Sequence, residues 1–382
     1  MLKKLKYILA SSLLMYALSI SAATIVPTPS APQIAAKSYI LQDFDSGLIL
    51  AEVNAEQRLP PASITKLMTA YVVSHEIEAG NINLTDEVLI SEKAWRMVGS
   101  RSFIEVNTKV PVEVLLRGMI IQSGNDAAVA LAEHIAGSEE TFAQLMNQYA
   151  QKLGMINTSY KNATGLPDPD HYTTAKDIAT LSAAVIRDYP EHYKWYAEKE
   201  FTYNDITQHN RNKLLWRDTS VDGLKTGHTQ EAGYCLAASA KRDDMRLVSV
   251  VLGTRSENAR AQETQKLFNY GFRFFETHAL YQANEQLLET KVWKGATKLA
   301  SLGLEQDLFI TVPRGRYKDL VATTNVQSPL IAPIEVGTNL GEVQIHLGDE
   351  LVATRTLVAI QPVEEGSWWR RLLDHILMWI WG

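Results

Sequence analysis

The chain has 382 residues, 46% of them hydrophobic and 21% charged, with a formal net charge of −6. A chain of this length and composition buries a real core and makes more than one domain, and its mild acidity offers no field for a polyanion, which excludes nucleic acid as a partner. The single cysteine, Cys235, excludes an internal disulfide, so the core alone must hold the fold; inside the strand-like "AGYCLAASA" it reads as a core residue and not as a nucleophile.

At the N-terminus Lys3, Lys4 and Lys6 precede an apolar run from Tyr7 to Ile20, and the small residues Ser21, Ala22 and Ala23 follow. This is the pattern of a secretory signal peptide over residues 1–23, cut near Ala22 or Ala23, with an apolar stretch short of a bilayer span. The mature protein is therefore expected to work outside the cytoplasmic membrane. After a Pro- and Ser-containing arm to Ala35, Tyr39 to Val53 reads as strand, turn and strand, with Asp45, Ser46 and Gly47 in the turn.

Helical spacing runs from Ser63 to Glu78 and stops at Gly80; further helices are expected at Val112 to Ile121, Asp126 to Ile135 and Glu139 to Leu153, with Gly137 and Gly154 ending the last two. "TTAKDIATLSAAVI" predicts another helix. A hairpin from Gly233 to Leu252 turns at "KRDD", and a helix from Asn258 to Thr277 follows. From about Leu287, short β-rich runs punctuated by Gly, Pro and Asn predict a small all-β domain.

In the tail, Trp368, Trp369, Leu372, Leu373, Ile376, Leu377, Trp379 and Ile380 fill one half of a helical wheel, and Arg370, Arg371, Asp374 and His375 fill the other. That fits an amphipathic helix lying in a membrane interface and not a span, which needs about 20 largely apolar residues; the alternative is a helix packed on the β domain, which would leave less tryptophan exposed.

Three short motifs carry the chemistry. In "PPASITKLM" Ser63 and Lys66 are three residues apart, one helical turn on one face, so hydroxyl and amine can meet; taken alone, the same serine serves as a helix cap. In "QSGND" Ser123 and Asn125 sit on a break between two apolar helices, which also suits a capped turn. In "VDGLKTGHT" an edge strand beside the nucleophile would offer Lys225 as a cation, Thr226 as a hydroxyl and Gly227 as room for a substrate backbone. Together, S-x-x-K, S-x-N and K-T-G in this order form the serine acyl-transferase signature of penicillin-binding proteins and β-lactamases, and separations of 60 and 102 residues fit one domain.

The chain resembles the low-molecular-mass penicillin-binding proteins, the D-alanyl-D-alanine carboxypeptidases of the penicillin-binding protein 5 and 6 type. The likeness is close around "PASITKLMTAYVV", "SGNDA", "QHNRNKLLW", "VDGLKTGHT" and "GFRFFET". It implies an α+β fold: a β-lactamase/transpeptidase-like domain over 24–282, an antiparallel sheet with helices, then a small all-β domain over 283–362 and an amphipathic membrane-anchoring helix over 363–382. The partners it implies are peptidoglycan stem peptides ending in D-Ala-D-Ala, β-lactam antibiotics, and a membrane surface, at the periplasmic face of the inner membrane.

Chemistry and resemblance assign the same roles. Ser63 attacks the carbonyl between two D-alanines to give an acyl-enzyme, and Lys66 is the base. Lys66 must then be neutral part of the time, which a helix N-terminus and a second cation at Lys225 would favour. Ser123 relays a proton toward the leaving amine, Asn125 orients Lys66 and the substrate amide, and Lys225 with Thr226 holds the terminal carboxylate. The resemblance adds Arg255 beside that carboxylate and the backbone N–H groups of Ser63 and His228 as the oxyanion hole; the His228 imidazole is secondary. No cofactor is implied, and the other histidines show no metal-ligand spacing. A class A β-lactamase shares the signature but needs a glutamate for its deacylating water, which "NATGLPDPDHYTTA" lacks, so penicillin is expected to acylate Ser63 and leave slowly. A non-catalytic peptidoglycan-binding module is the other alternative, against which intact Ser63, Lys66 and Lys225 argue.

Overall fold

The computed structural model describes residues 28–381, and the signal peptide expected over 1–23 lies outside them. The first strand pair forms as β1 (Ser38–Asp43) and β2 (Ile49–Val53). The Lys-Thr-Gly stretch lies in β3 (Val221–Thr229), and the long hairpin is β4 (Gly233–Arg242) and β5 (Met245–Thr254). These five make one antiparallel sheet in the order β2-β1-β5-β4-β3, with β3 at an edge.

Both faces of this sheet are covered. Ile40 and Val250 pack into one core, while their neighbours Leu41 and Val251 pack into a second. That is why "LVSVVL" shows no polar alternation: every residue of a strand buried on both faces is selected for apolarity. The first core is shared with α1 (Lys66–Glu78), α2 (Val112–Ile121), α3 (Asn125–Ala136), α4 (Glu139–Lys152) and α5 (Ala175–Asp188), and the second with α6 (Glu257–Phe274). Helix α1 is buried without interruption from Lys66 to Ser74, as expected of a central helix with no solvent face.

Two expected helices differ at their ends. The one expected from Ser63 opens as a 3-10 turn over Ala62–Thr65, and the α-helix starts only at Lys66. Ala62 takes φ +48°, a left-handed value that an α-helix does not allow, so the nucleophile sits on a tight turn. The helix expected to reach Thr277 ends at Phe274, because Phe275 is extended and starts β6 (Phe275–Tyr281).

The β-rich part therefore takes in residues that the sequence assigns to the first domain. It holds β7 (Leu288–Trp293), β8 (Leu299–Gly303), β9 (Leu308–Pro313), β10 (Leu320–Val326), β11 (Leu330–Ile331), β12 (Asn339–Leu347) and β13 (Glu350–Ala359). β6 pairs with β9, and the rest form a six-stranded sheet in the order β10-β12-β13-β8-β7-β11 around a third core that includes Leu302, Ile345 and Leu357.

The tail forms α7 (Trp368–Trp381). Its polar side faces the β-rich part: Asp374 accepts the Lys294 amide at 2.6 Å and Arg370 donates to the Ala296 carbonyl at 3.2 Å. Its apolar side is bare, with Trp369 60% and Trp379 86% exposed. No helix among the described residues is long and apolar enough to cross a membrane.

Where the first sheet meets β6 and β9, buried Asp43 accepts the Ser46 amide and hydroxyl at 2.8 Å and the Thr277 hydroxyl at 2.7 Å. Asp45 lines a cavity of about 430 Å³ beside them. Partial burial, and secondarily the charge of Asp43, push its carboxyl up to about 6 against the opposing pull of Lys241 and Arg246. A carboxyl whose pKa is higher folded than unfolded favours the fold while protonated, and that favour is lost as pH rises through the folded value. Asp45→Asn should therefore melt above the wild type near pH 8 and converge with it near pH 4; melting scans showing one constant gap at both pH values would contradict this.

Candidate active site

The nucleophile turn, the start of α1, the break between α2 and α3, and the edge strand β3 converge on a cleft of about 390 Å³. Lys66 lies buried beneath its floor, 1% exposed, in contact with the lining residues Ser63, Asn125 and Thr164. Its Nζ lies 2.7 Å from Asn125 Oδ1, 2.6 Å from the Thr164 carbonyl and 3.2 Å from Ser63 Oγ. The orientation of the Asn125 amide is fixed from behind, because Nδ2 donates to the Val98 carbonyl at 2.6 Å and leaves Oδ1 for the lysine.

Burial pushes the Lys66 ammonium down to about 7; Arg211 pushes the same way, while Asp126 and Glu139 pull back. The sequence points to the helix terminus and Lys225 as the causes; burial dominates and Arg211 adds to it, while the repulsion between Lys66 and Lys225 falls on the Lys225 side. Lys225 is itself held well below the ordinary lysine range, first by burial and then by Lys66, Arg211 and Arg260.

Ser123 stands between the helices at φ +71°, and its buried hydroxyl has no hydrogen-bond partner. Asp126 braces the neighbouring loop by accepting the Ser102 amide at 2.7 Å and the Ala127 amide at 2.9 Å. Along β3, Thr226, Gly227 and His228 line the cleft, and Lys225 lies buried behind the lining, its Nζ 3.5 Å from the Thr226 carbonyl. The His228 ring stacks on Tyr234, centroids 4.0 Å apart.

Gly227 lines the cleft and has a structural use besides the one expected: a Cβ there would stand 2.9 Å from the Pro61 carbonyl oxygen and 3.2 Å from Ala62 Cβ, so its bareness lets β3 close on the nucleophile turn. Gly165 does the same from the opposite side: its φ is +83° and a Cβ would fall 1.8 Å from the Ala62 carbonyl oxygen, which only glycine permits.

Arg255 is not brought into this group; it is exposed and does not line the cleft. The chain turns there into α6, which Ser256 caps, and the helix instead carries Arg260 back under β3, where it donates to the Gly227 carbonyl at 3.2 Å. The cleft's guanidinium groups belong to Arg211 and Arg260. Arg211 is not singled out by the sequence; its stretch "QHNRNKLLW" enters only as part of the likeness, and the structure shows it braced by buried neighbours, Asn212 Nδ2 donating to the Gly223 carbonyl at 2.9 Å. Thr164 left no signal, because it acts through its backbone oxygen. Among the described residues no cluster of three His, Cys, Asp or Glu is placed to hold a metal ion.

The fold and this cleft define a serine acyl-transferase of the penicillin-binding class. The D-alanyl-D-alanine carboxypeptidase family matches residues 25–256, and the C-terminal domain of penicillin-binding protein 5 matches residues 275–365, beginning where β6 begins. The curated D-alanyl-D-alanine carboxypeptidase DacC of Escherichia coli (strain K12) is 44% identical over 359 residues, covering 92% of this chain and 90% of its own. The solved structure of penicillin binding protein 5 from Haemophilus influenzae is 44% identical with a TM-score of 0.86, covering 88% of this chain and 100% of its own. That of penicillin binding protein 6B from Escherichia coli is 38% identical with a TM-score of 0.73, covering 87% and 98%. The chain belongs to the D-alanyl-D-alanine carboxypeptidase family, as a serine-type hydrolase.

Proposed function

We propose that this protein removes the terminal D-alanine from peptidoglycan stem peptides ending in D-Ala-D-Ala through an acyl-enzyme on Ser63, that penicillins acylate the same oxygen, and that it acts at the periplasmic face of the inner membrane. The observation that carries the reaction is the bonding of Lys66. A neutral amine has two hydrogens and one lone pair. Asn125 Oδ1 and the Thr164 carbonyl are acceptors only, at 2.7 and 2.6 Å, so they take the two hydrogens and the lone pair is left for Ser63 Oγ at 3.2 Å.

With its pKa near 7 the amine is about half neutral at pH 7, where an ordinary lysine is neutral in roughly one molecule in a few thousand. Lys66 takes the Ser63 proton as Oγ attacks the carbonyl carbon, and backbone N–H groups of Ser63 and His228 receive the oxyanion. Ser123, whose hydroxyl is unspent, passes a proton to the departing amine. Thr226, backed by the charges of Arg211 and Arg260, holds the terminal carboxylate. Water then cleaves the ester.

A β-lactamase would need a carboxylate to activate that water. The loop of residues 162–175 beside Ser63 has no glutamate, its aspartates, Asp168 and Asp170, do not line the cleft, and the carboxylate that does, Glu257, is paired with Lys213 at 2.8 Å. The acyl-enzyme formed from penicillin is therefore long-lived.

The membrane reading is supported by the docking of α7 through its polar side, which presents Trp368, Trp369, Leu373 and Trp379 outward. Exposed aromatic and aliphatic side chains on one helical face suit burial at the headgroup boundary, and the basic start of the chain with its apolar run supports export.

D-alanine release from a muropeptide ending in D-Ala-D-Ala is expected from the wild type and should fall about a thousandfold or more in Ser63→Ala; a folded wild type that releases none would contradict the catalytic reading. Deleting residues 366–382 should free the protein from sedimenting vesicles and leave D-alanine release intact, whereas unchanged sedimentation would contradict the membrane reading.

A further inference from the structure

Behind the cleft one imidazole joins the two pieces of chain whose spacing sets the surroundings of Lys66. His171 is 3% exposed. Its Nε2 lies 2.9 Å from Oγ1 of Thr65, the residue between Ile64 and Lys66 on the nucleophile turn. Its Nδ1 accepts the backbone N–H of Lys161, just before the loop that presents the Thr164 carbonyl, at 3.4 Å. An Nδ1 that accepts has no hydrogen, so in the neutral ring the hydrogen is on Nε2 and is donated to Thr65. Tyr160 packs edge-on against the ring at 5.7 Å between centroids.

The loop itself is stiff. Asn162 Oδ1 accepts the amides of Thr164 and Gly165 at 3.2 and 2.8 Å, and Ala163 is held by Glu139 through its amide and by Thr69 through its carbonyl. Such a loop moves as a body, so its distance from the nucleophile turn depends on the ties between the two, of which Thr65 to His171 is the one adjoining Lys66.

We propose that His171 is a positioning residue for the acylation step: by bolting the 161–166 loop to the nucleophile turn it keeps water from Lys66 Nζ and keeps the Thr164 carbonyl on it. This rests on the reading of Lys66 as the base. The ring suits the task only when neutral, since a proton on Nδ1 would displace the Lys161 amide. Burial, aided by Lys161 and Lys66 and opposed by Asp168, holds it near 4, so it stays neutral at working pH. The charged groups that act on Lys66 itself are Asp126, Glu139 and Arg211, and Lys225 lies behind the same strand. Neither Asp126 nor Arg211 touches His171, and Glu139 meets the loop through the Ala163 amide at 3.1 Å.

The consequence has a direction. Because burial is the main cause of the low Lys66 value, emptying the His171 site admits water and moves that value up toward the ordinary lysine range. A glutamine side chain in place of the imidazole would not leave the site empty: its carbonyl can accept from Lys161 and its amide can donate to Thr65.

The test is the rate of Ser63 acylation by a fluorescent penicillin across pH, in full-length wild type, His171→Ala and His171→Gln, with D-alanine release measured alongside. His171→Ala should acylate about tenfold more slowly near pH 7, with the acid limb of its profile moved up by about one pH unit and the change falling on kcat more than on KM. His171→Gln should restore both rate and limb. Thr65→Val, which deletes the acceptor and keeps the shape, should reproduce the shift and carries the test if His171→Ala does not fold. A folded His171→Ala or Thr65→Val with the wild-type limb overturns the inference while leaving Lys66 as the base. A wild-type profile with no limb between about pH 5 and 9 overturns the reading of Lys66 and the inference with it.

Discussion

A primary amine buried between two carbonyl acceptors and the nucleophile's hydroxyl is the constraint that the rest of this structure serves. Taking Lys66 out of water penalises its charged form by more than its carboxylate neighbours return, and the net fall from 10.5 to about 7 amounts to about 5 kcal/mol against the charge. The carbonyl of Thr164 and the amide of Asn125 recover part of that cost and are also the geometric device, because they fix which way the remaining lone pair points. The same burial that is unfavourable for a charge is therefore what makes a lysine usable as a base near neutral pH.

Everything near Lys66 is arranged to let backbone come close. The nucleophile turn is flanked by Gly227 on the edge strand and Gly165 on the loop, and a side chain at either would strike Pro61 or Ala62. The central helix that carries Lys66 is buried on all sides from Lys66 to Ser74, so the site stands on the protected end of that element. The edge strand borders the cleft, and the positive charge there comes from Arg211 and Arg260, with Glu257 the single carboxylate in the lining and itself paired with Lys213 at 2.8 Å. An anionic chain end is the natural occupant of such a floor.

Most of the architecture was legible because helix and strand periods are local. The α2, α3, α4 and α5 segments, the hairpin and the tail helix lie within a few residues of expectation; Ser138 caps α4, Thr174 caps α5 and Gly137 ends α3. The errors have a common cause. The 3-10 turn at Ala62 is imposed by two neighbours that are distant in sequence, Gly165 and Gly227, and the helix that stops at Phe274 is cut short by pairing with β9, more than thirty residues on. At the site, Ser63, Lys66, Ser123, Asn125 and Thr226 could be picked out as side chains in motifs. Thr164 acts through a carbonyl, His171 through a contact across the loop, and Arg260 sits one helical turn further along than Arg255, so none of the three was visible without coordinates.

The central claim is that Lys66 carries a lone pair near neutral pH in the resting protein. Its direct measurement is an NMR titration of the lysine side chains, with the Lys66 signal assigned by its loss in Lys66→Arg. One lysine titrating near 7 and disappearing in that variant is the predicted result. A Lys66 signal that stays charged until about pH 10, as an ordinary lysine does, would contradict it.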